Sequence, residues 1–109
     1  MSTYKNTKKS VGVIYCITNP AWEGWVKIGI STYGIEDRLK SYNTGSPFRD
    51  YELRFTMESS HVLRLEKDVH KTLRRHGHDN NSEWFKVEID EAIKIIRAVH
   101  KFNEELYNG

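Results

Sequence analysis

Cysteine is nearly absent from this chain: Cys16 is the only one in 109 residues. A lone thiol excludes an intrachain disulfide and points to a reducing, cytoplasmic setting. No long apolar run occurs anywhere, which argues against a membrane span. The opening stretch MSTYKNTKKS is polar and lacks the apolar core of a secretory leader. Net charge is also low, +2, with an isoelectric point near 8.7. That balance is too mild to announce a nucleic-acid partner by itself. Repeats, linkers and low-complexity stretches are missing as well. The expectation is a soluble cytoplasmic protein without membrane contact.

What is present is enough for one core. Hydrophobic residues make up 38 % and aromatic residues 12 % of the chain, which excludes global disorder. At this length a second core has no room. Residues 1–10 read as a flexible basic tail, with Lys5, Lys8 and Lys9, and residues 11–109 as a single domain. A second basic cluster, Lys71, Arg74, Arg75, His76 and His78, contrasts with acidic residues toward the C-terminus. Such polarity suits phosphate on one side, although a basic helix face is also what solvation alone produces.

Period-two alternation predicts a strand over residues 11–18 and another over 25–30, joined through Asn19-Pro20-Ala21-Trp22-Glu23-Gly24 as a hairpin. In the second strand Val26, Ile28 and Ile30 share one face, opposite Trp25, Lys27 and Gly29. A short helix is expected over 35–43, stopped by Asn43-Thr44-Gly45-Ser46-Pro47. A third strand follows over 51–57. A long helix, capped by Ser59 or Ser60, then runs to about His76 and ends at Gly77. After a polar loop comes a short extended piece from Trp84, and Asp90 caps a final amphipathic helix. This order implies an α+β domain, with an antiparallel sheet of about three strands flanked by helices.

One residue disagrees with its surroundings. On a wheel at about 100° per residue, Val62, Leu63, Leu65, Val69 and Leu73 form an apolar arc, and Glu66 falls inside it, one turn before His70. A carboxylate on the core side must be paired, protonated or bound to a cation. A salt bridge, a metal ligand and an acid–base group all satisfy that requirement, and the pattern leaves the three open. Lys27 is also unusual, since lysine is disfavoured in mid-strand. Arg38 and Tyr42 share one face of the short helix, where an arginine fork can hold a phosphate or simply pack. Trp22 and Trp25 flank the hairpin turn, suited to base stacking or to packing. Cys16 lies on the face of its strand away from Tyr15, and no familiar zinc spacing includes it.

Several pieces in order resemble a known arrangement: Gly12-Val13-Ile14-Tyr15, Val26-Lys27-Ile28-Gly29, Arg38-Leu39, Thr44-Gly45-Ser46-Pro47, Leu65-Glu66-Lys67 with His70, and Glu83-Trp84-Phe85. Together they resemble the GIY-YIG nuclease superfamily over about residues 11–87. The closer similarity is to its phage and bacterial branch of the T5orf172 or meiotically up-regulated gene 113 type. The resemblance implies an endonuclease acting on DNA, with RNA left open, through one Mg²⁺ or Mn²⁺ ion. It implies Tyr15 as general base toward the attacking water, Arg38 as the charge stabiliser on the phosphate, Tyr42 beside it, and Glu66 as the metal ligand. Lys27 stands where the namesake motif has tyrosine, and Gly12 sits one place earlier than the first motif requires. Some restriction-enzyme members of the superfamily also carry lysine there, and the lysine would hold or polarise the water or favour ionisation of Tyr15. Thr44, Ser46, His70, Lys71, Arg74 and Arg75 are candidate nucleic-acid contacts. With almost every residue used by the core, low sequence specificity is expected, from a monomer or a homodimer. A non-catalytic binding protein on the same fold is the competing expectation.

Overall fold

A computed structural model describes residues 10–32, 40, 43, 44 and 50–108. The first two strands form the expected hairpin, β1 over Gly12–Thr18 and β2 over Trp25–Ser31, paired antiparallel with Tyr15 opposite Gly29 and Ile17 opposite Lys27. The turn between them is a 3₁₀ turn, Pro20–Trp22. Asn19 caps it by accepting from the Ala21 amide at 2.9 Å, and its side-chain nitrogen donates to Asp50 at 3.1 Å. The turn closes at Gly24, whose φ of 85° belongs to the left-handed region that glycine tolerates without strain.

Strand β3, Glu52–Ser59, pairs antiparallel with the other side of β1. Leu53, Phe55 and Met57 are half-buried, and Glu52, Arg54, Thr56 and Glu58 between them are exposed, the pattern of an edge strand covered on one face. Helix α1 spans Val62–Arg75 and helix α2 spans Ile89–Asn108. Between them lie two short strands, β4 at Asn80–Asn81 and β5 at Trp84–Lys86. The described residues therefore form an antiparallel sheet of five strands, ordered β3-β1-β2-β5-β4, where about three were expected. The extended piece expected from Trp84 is β5, which joins the sheet by pairing with β2, and the two-residue β4 pairs in turn with β5.

Both helices cover the same face of the sheet. Ile14, Cys16, Val26 and Ile28 meet Val62, Leu65, Val69 and Leu73 of α1 and Ala92, Ile95 and Ile96 of α2 in one buried cluster. Burying side chains of this size stabilises by about 1.5–3 kcal/mol each, which makes the cluster the principal source of stability. Cys16 belongs to it, and burial pushes its thiol up to about 12. Leu63, assigned to the apolar arc from sequence, is 60 % exposed, because it stands about 100° from the line of Val62, Val69 and Leu73.

The ends of α1 also depart from expectation. Its N-cap residue is His61, and neither Ser59 nor Ser60 caps it; Ser59 instead accepts from the His61 amide at 3.0 Å. The cap comes from Ser10. Its carbonyl accepts from Val62 at 2.9 Å and its hydroxyl oxygen from the Leu63 amide at 3.2 Å. Ser10, assigned to the tail from sequence, is thus tied into the fold. Gly77, with φ 84°, ends the helix as expected, donating to the Arg74 carbonyl at 3.0 Å. Asp90 lies within the first turn of α2 and does not precede it. Of the short helix expected over 35–43, Lys40 and Asn43 are described, and both are helical, as is Thr44. No helix among the described residues is long and apolar enough to cross a membrane.

Candidate active site

The register of β1 against β2 places Tyr15 and Lys27 on one face of the sheet, the face away from α1 and α2. Between them the strand carries Gly29, and this glycine is what admits the tyrosine. A Cβ on Gly29 would stand 2.7 Å from the Tyr15 hydroxyl and 2.8 Å from its ring carbon Cζ. The hydroxyl end of the phenol therefore lies directly over Gly29. Tyr15 has no exposed surface, so in this conformation its hydroxyl meets no bulk water.

Glu83 joins this pair. Its carboxylate oxygen Oε1 lies 3.0 Å from the same Cβ position over Gly29 and 3.6 Å from the Lys27 ammonium. The backbone holds it there, since the Ile28 amide donates to the Glu83 carbonyl at 3.0 Å. Lys27 is only 14 % exposed and Glu83 is 42 % exposed, so the pair sits at the border of solvent. From sequence, Glu83-Trp84-Phe85 is a piece of the resemblance whose Trp84 and Phe85 are expected in the core, with an approach of Glu83 to the site as the alternative; Phe85 is buried and Trp84 half-buried. The signal for Glu83 itself, a carboxylate preceding the cross-strand partner of Lys27, appears only once β5 is known to pair with β2.

Glu66, inside the apolar arc as read from sequence, is half-buried; with Leu63 exposed, the buried arc is narrower and Glu66 stands at its edge. Its location follows from the course of α1. At one end Val62 packs against Gly12, whose Cβ position also meets the Ser31 carbonyl. Two turns on, His70 Nε2 donates to the Ile28 carbonyl at 2.9 Å. Helix α1 thus runs antiparallel to β2. Glu66, one turn before His70 on the same flank, is level with the end of β2 that carries Gly29 and Ile30.

The remaining predicted positions divide. Arg38, Tyr42 and Ser46 lie outside the described residues. The Thr44 hydroxyl donates to the Lys40 carbonyl at 2.8 Å from an exposed position. Lys71, Arg74 and Arg75 are exposed on α1. His70 rests 4.9 Å from the Phe85 ring, and its bond to a carbonyl fixes the proton on Nε2. Burial is the main influence on this histidine and lowers its pKa below the usual 6.5, with Arg74 and Lys27 adding to the effect. The Ile28 bond and the charge of Glu83 oppose it.

No group of three or more His, Cys, Asp and Glu among the described residues is placed to hold a metal ion. A single carboxylate on a helix flank suits one kind of ion: a hard, strongly hydrated cation that keeps most of its waters and takes further oxygens from a substrate phosphate. Mg²⁺ and Mn²⁺ are of that kind, and a multi-ligand zinc centre is not.

The family model described as the T5orf172 domain matches residues 12–100, which contain every strand and most of α2. No curated protein and no solved structure matches the chain.

Proposed function

The chain belongs to the T5orf172 domain family, and from that premise we propose that it is an endonuclease hydrolysing DNA phosphodiester bonds with one divalent metal ion. Family membership is consistent with a nuclease-like or DNA-binding role. The observation that carries the finer reading is the position of the Tyr15 hydroxyl over Gly29, beside Lys27, with Glu66 level with the same end of β2. These are residues to which the GIY-YIG resemblance assigns roles, Tyr15 and Lys27 on one face of the sheet and Glu66 on the helix that packs against the other.

Hydrolysis needs an activated water, positive charge near the nonbridging oxygens, and a proton for the departing 3′ oxygen. In this reading Tyr15 acts as its phenolate, its own proton already lost to solvent, and takes a proton from the water as the new oxygen–phosphorus bond forms. The bond to the 3′ oxygen breaks and that oxygen takes a proton from solvent, leaving 5′-phosphate and 3′-hydroxyl ends. Lys27, held by Glu83, places its ammonium beside the water, and Arg38 takes the charge on the phosphate. Glu66 would hold Mg²⁺ or Mn²⁺, which supplies Lewis-acid neutralisation of charge on the phosphate. Low sequence specificity follows if this domain acts alone.

The decisive test is cleavage of supercoiled plasmid in Mg²⁺ or Mn²⁺ by wild type, Glu66→Ala and Tyr15→Phe, each variant checked for folding by circular dichroism. Metal-dependent nicking that disappears in both folded variants is the expected result. Cleavage surviving either substitution would remove that residue from the mechanism. A second reading, a DNA-binding module without catalysis, draws support from the full enclosure of Tyr15 and the pairing of Lys27 with Glu83. Binding without cleavage in the same assay would establish it.

A further inference from the structure

On the face that carries Tyr15 and Lys27, Trp22, Trp25, Trp84 and Asn81 line an open groove of about 270 Å³. Its position is set by strand register. Trp84 is the cross-strand partner of Lys27, Asn81 is the partner of Trp84, and Trp25 stands two residues before Lys27 on the same face. The third indole comes from the 3₁₀ turn, where Trp22 packs edge-on against Trp84 with centroids 5.1 Å apart. Tyr51 backs the cluster at 6.2 Å from Trp22 and 6.5 Å from Trp84. Packing alone does not account for the arrangement, because Trp22 remains 47 % exposed.

We propose that this groove receives one unpaired nucleobase of a nucleic-acid strand whose phosphate lies at Lys27 and Tyr15. The inference rests on the nuclease reading for the phosphate position and goes beyond it in naming the substrate class: single-stranded, frayed or branched DNA in preference to continuous duplex. The chemistry of the lining selects this occupant. Trp22, the exposed indole of the lining, offers the aromatic surface on which one planar base can stack, with Trp25 and Trp84 as the other aromatic walls. Asn81 adds an amide that both donates and accepts, suited to the polar edge of a base. Among the described residues no charged side chain lines the groove, while Lys27 and exposed Lys86, the partner of Trp25, stand beside it to meet the backbone. A base inside a duplex is sealed in its stack and enters only after unstacking, which costs a few kcal/mol.

The experiment is binding of a labelled single-stranded 20-mer and of the same sequence as duplex, in EDTA to prevent cleavage, across a range of salt. Wild type, Trp22→Ala, Trp22→Phe and Asn81→Ala are compared. Trp22 sits on an exposed turn, and Asn81→Ala keeps the indoles, so a folding defect in one variant leaves the other informative. Stacking of one base contributes about 1–3 kcal/mol, so Trp22→Ala is expected to weaken single-strand binding about ten-fold. Trp22→Phe restores most of it, and duplex binding changes less than two-fold. The slope of affinity against salt stays constant, because no phosphate contact is removed. Equal weakening of single strand and duplex, or no change in either, overturns the proposal. If Trp22→Ala selectively loses single-strand binding while wild type cleaves nothing, the base site stands and the nuclease reading falls. If wild type cleaves plasmid but single-strand binding ignores Trp22 and Asn81, the nuclease reading stands and the base site falls.

Discussion

The hydroxyl of Tyr15 occupies the space that a side chain on Gly29 would fill, 2.7 Å from where the Cβ would stand. Two strands are thereby interlocked, with the hydroxyl end of the phenol held over Gly29. Gly29→Ala must displace either the ring or the strand. A buried ring that cannot relax makes such overpacking cost about 1–3 kcal/mol. Urea unfolding should show that loss, and plasmid cleavage should fall sharply because the hydroxyl has moved. Full activity in Gly29→Ala would show that the phenol position is unimportant.

Lys27 separates stability from chemistry. Its partner Glu83 is 42 % exposed and the pair is 3.6 Å apart, so solvent screens most of the attraction. Lys27→Met, which keeps the aliphatic stem, should therefore change stability by less than about 1 kcal/mol. If Lys27 serves the water or the phosphate, cleavage falls by about a hundred-fold or more. A large loss of stability with unchanged cleavage would make the pair structural.

Ser10 closes the first turn of α1 from outside the helix, accepting from the Leu63 amide. Removing its hydroxyl in Ser10→Ala leaves one helix-start donor without that acceptor, a loss of about 1 kcal/mol. Thermal denaturation measures it. Cleavage at a temperature well below the transition should be unaffected.

His70 makes the fold sensitive to acid. Burial lowers its pKa in the folded state below 6.5, so the unfolded chain binds the extra proton first as pH falls. The stability it supports is fully present above pH 6.5 and is lost progressively as pH drops from there through the folded pKa. His70→Gln, which retains a donor for the Ile28 carbonyl, should flatten that part of the stability–pH curve. Parallel curves for wild type and variant between pH 7 and the acid limb would exclude the histidine as the cause.

Much of this fold is written locally. The alternation of Ile14, Cys16, Val26 and Ile28 identifies the strands and their buried face, and Val62, Leu65, Val69 and Leu73 identify α1. Gly77 marks the helix end because only its positive φ is needed there. Local patterns failed where a partner lies far along the chain. Ser10 caps a helix 53 residues away. The extended piece expected from Trp84 becomes β5 by pairing with β2, and β4, which no local pattern announces, pairs in turn with β5. Leu63 was assigned to the core although its angle on the helix leaves it in water.

The candidate site divides along the same line. The sequence by itself determined that Tyr15 points away from Cys16, that Lys27 and Gly29 share a face, and that Glu66 sits at odds with its apolar neighbours. Each follows from a fixed period of two or 3.6 residues. Only the tertiary structure decided that Tyr15 lies over Gly29, that Glu83 pairs with Lys27, and that indoles from the 3₁₀ turn, β2 and β5 form a groove beside them. Those relations depend on strand register and on which strands become neighbours. Register is set by the packing of the whole sheet against its helices, which no short window of sequence contains.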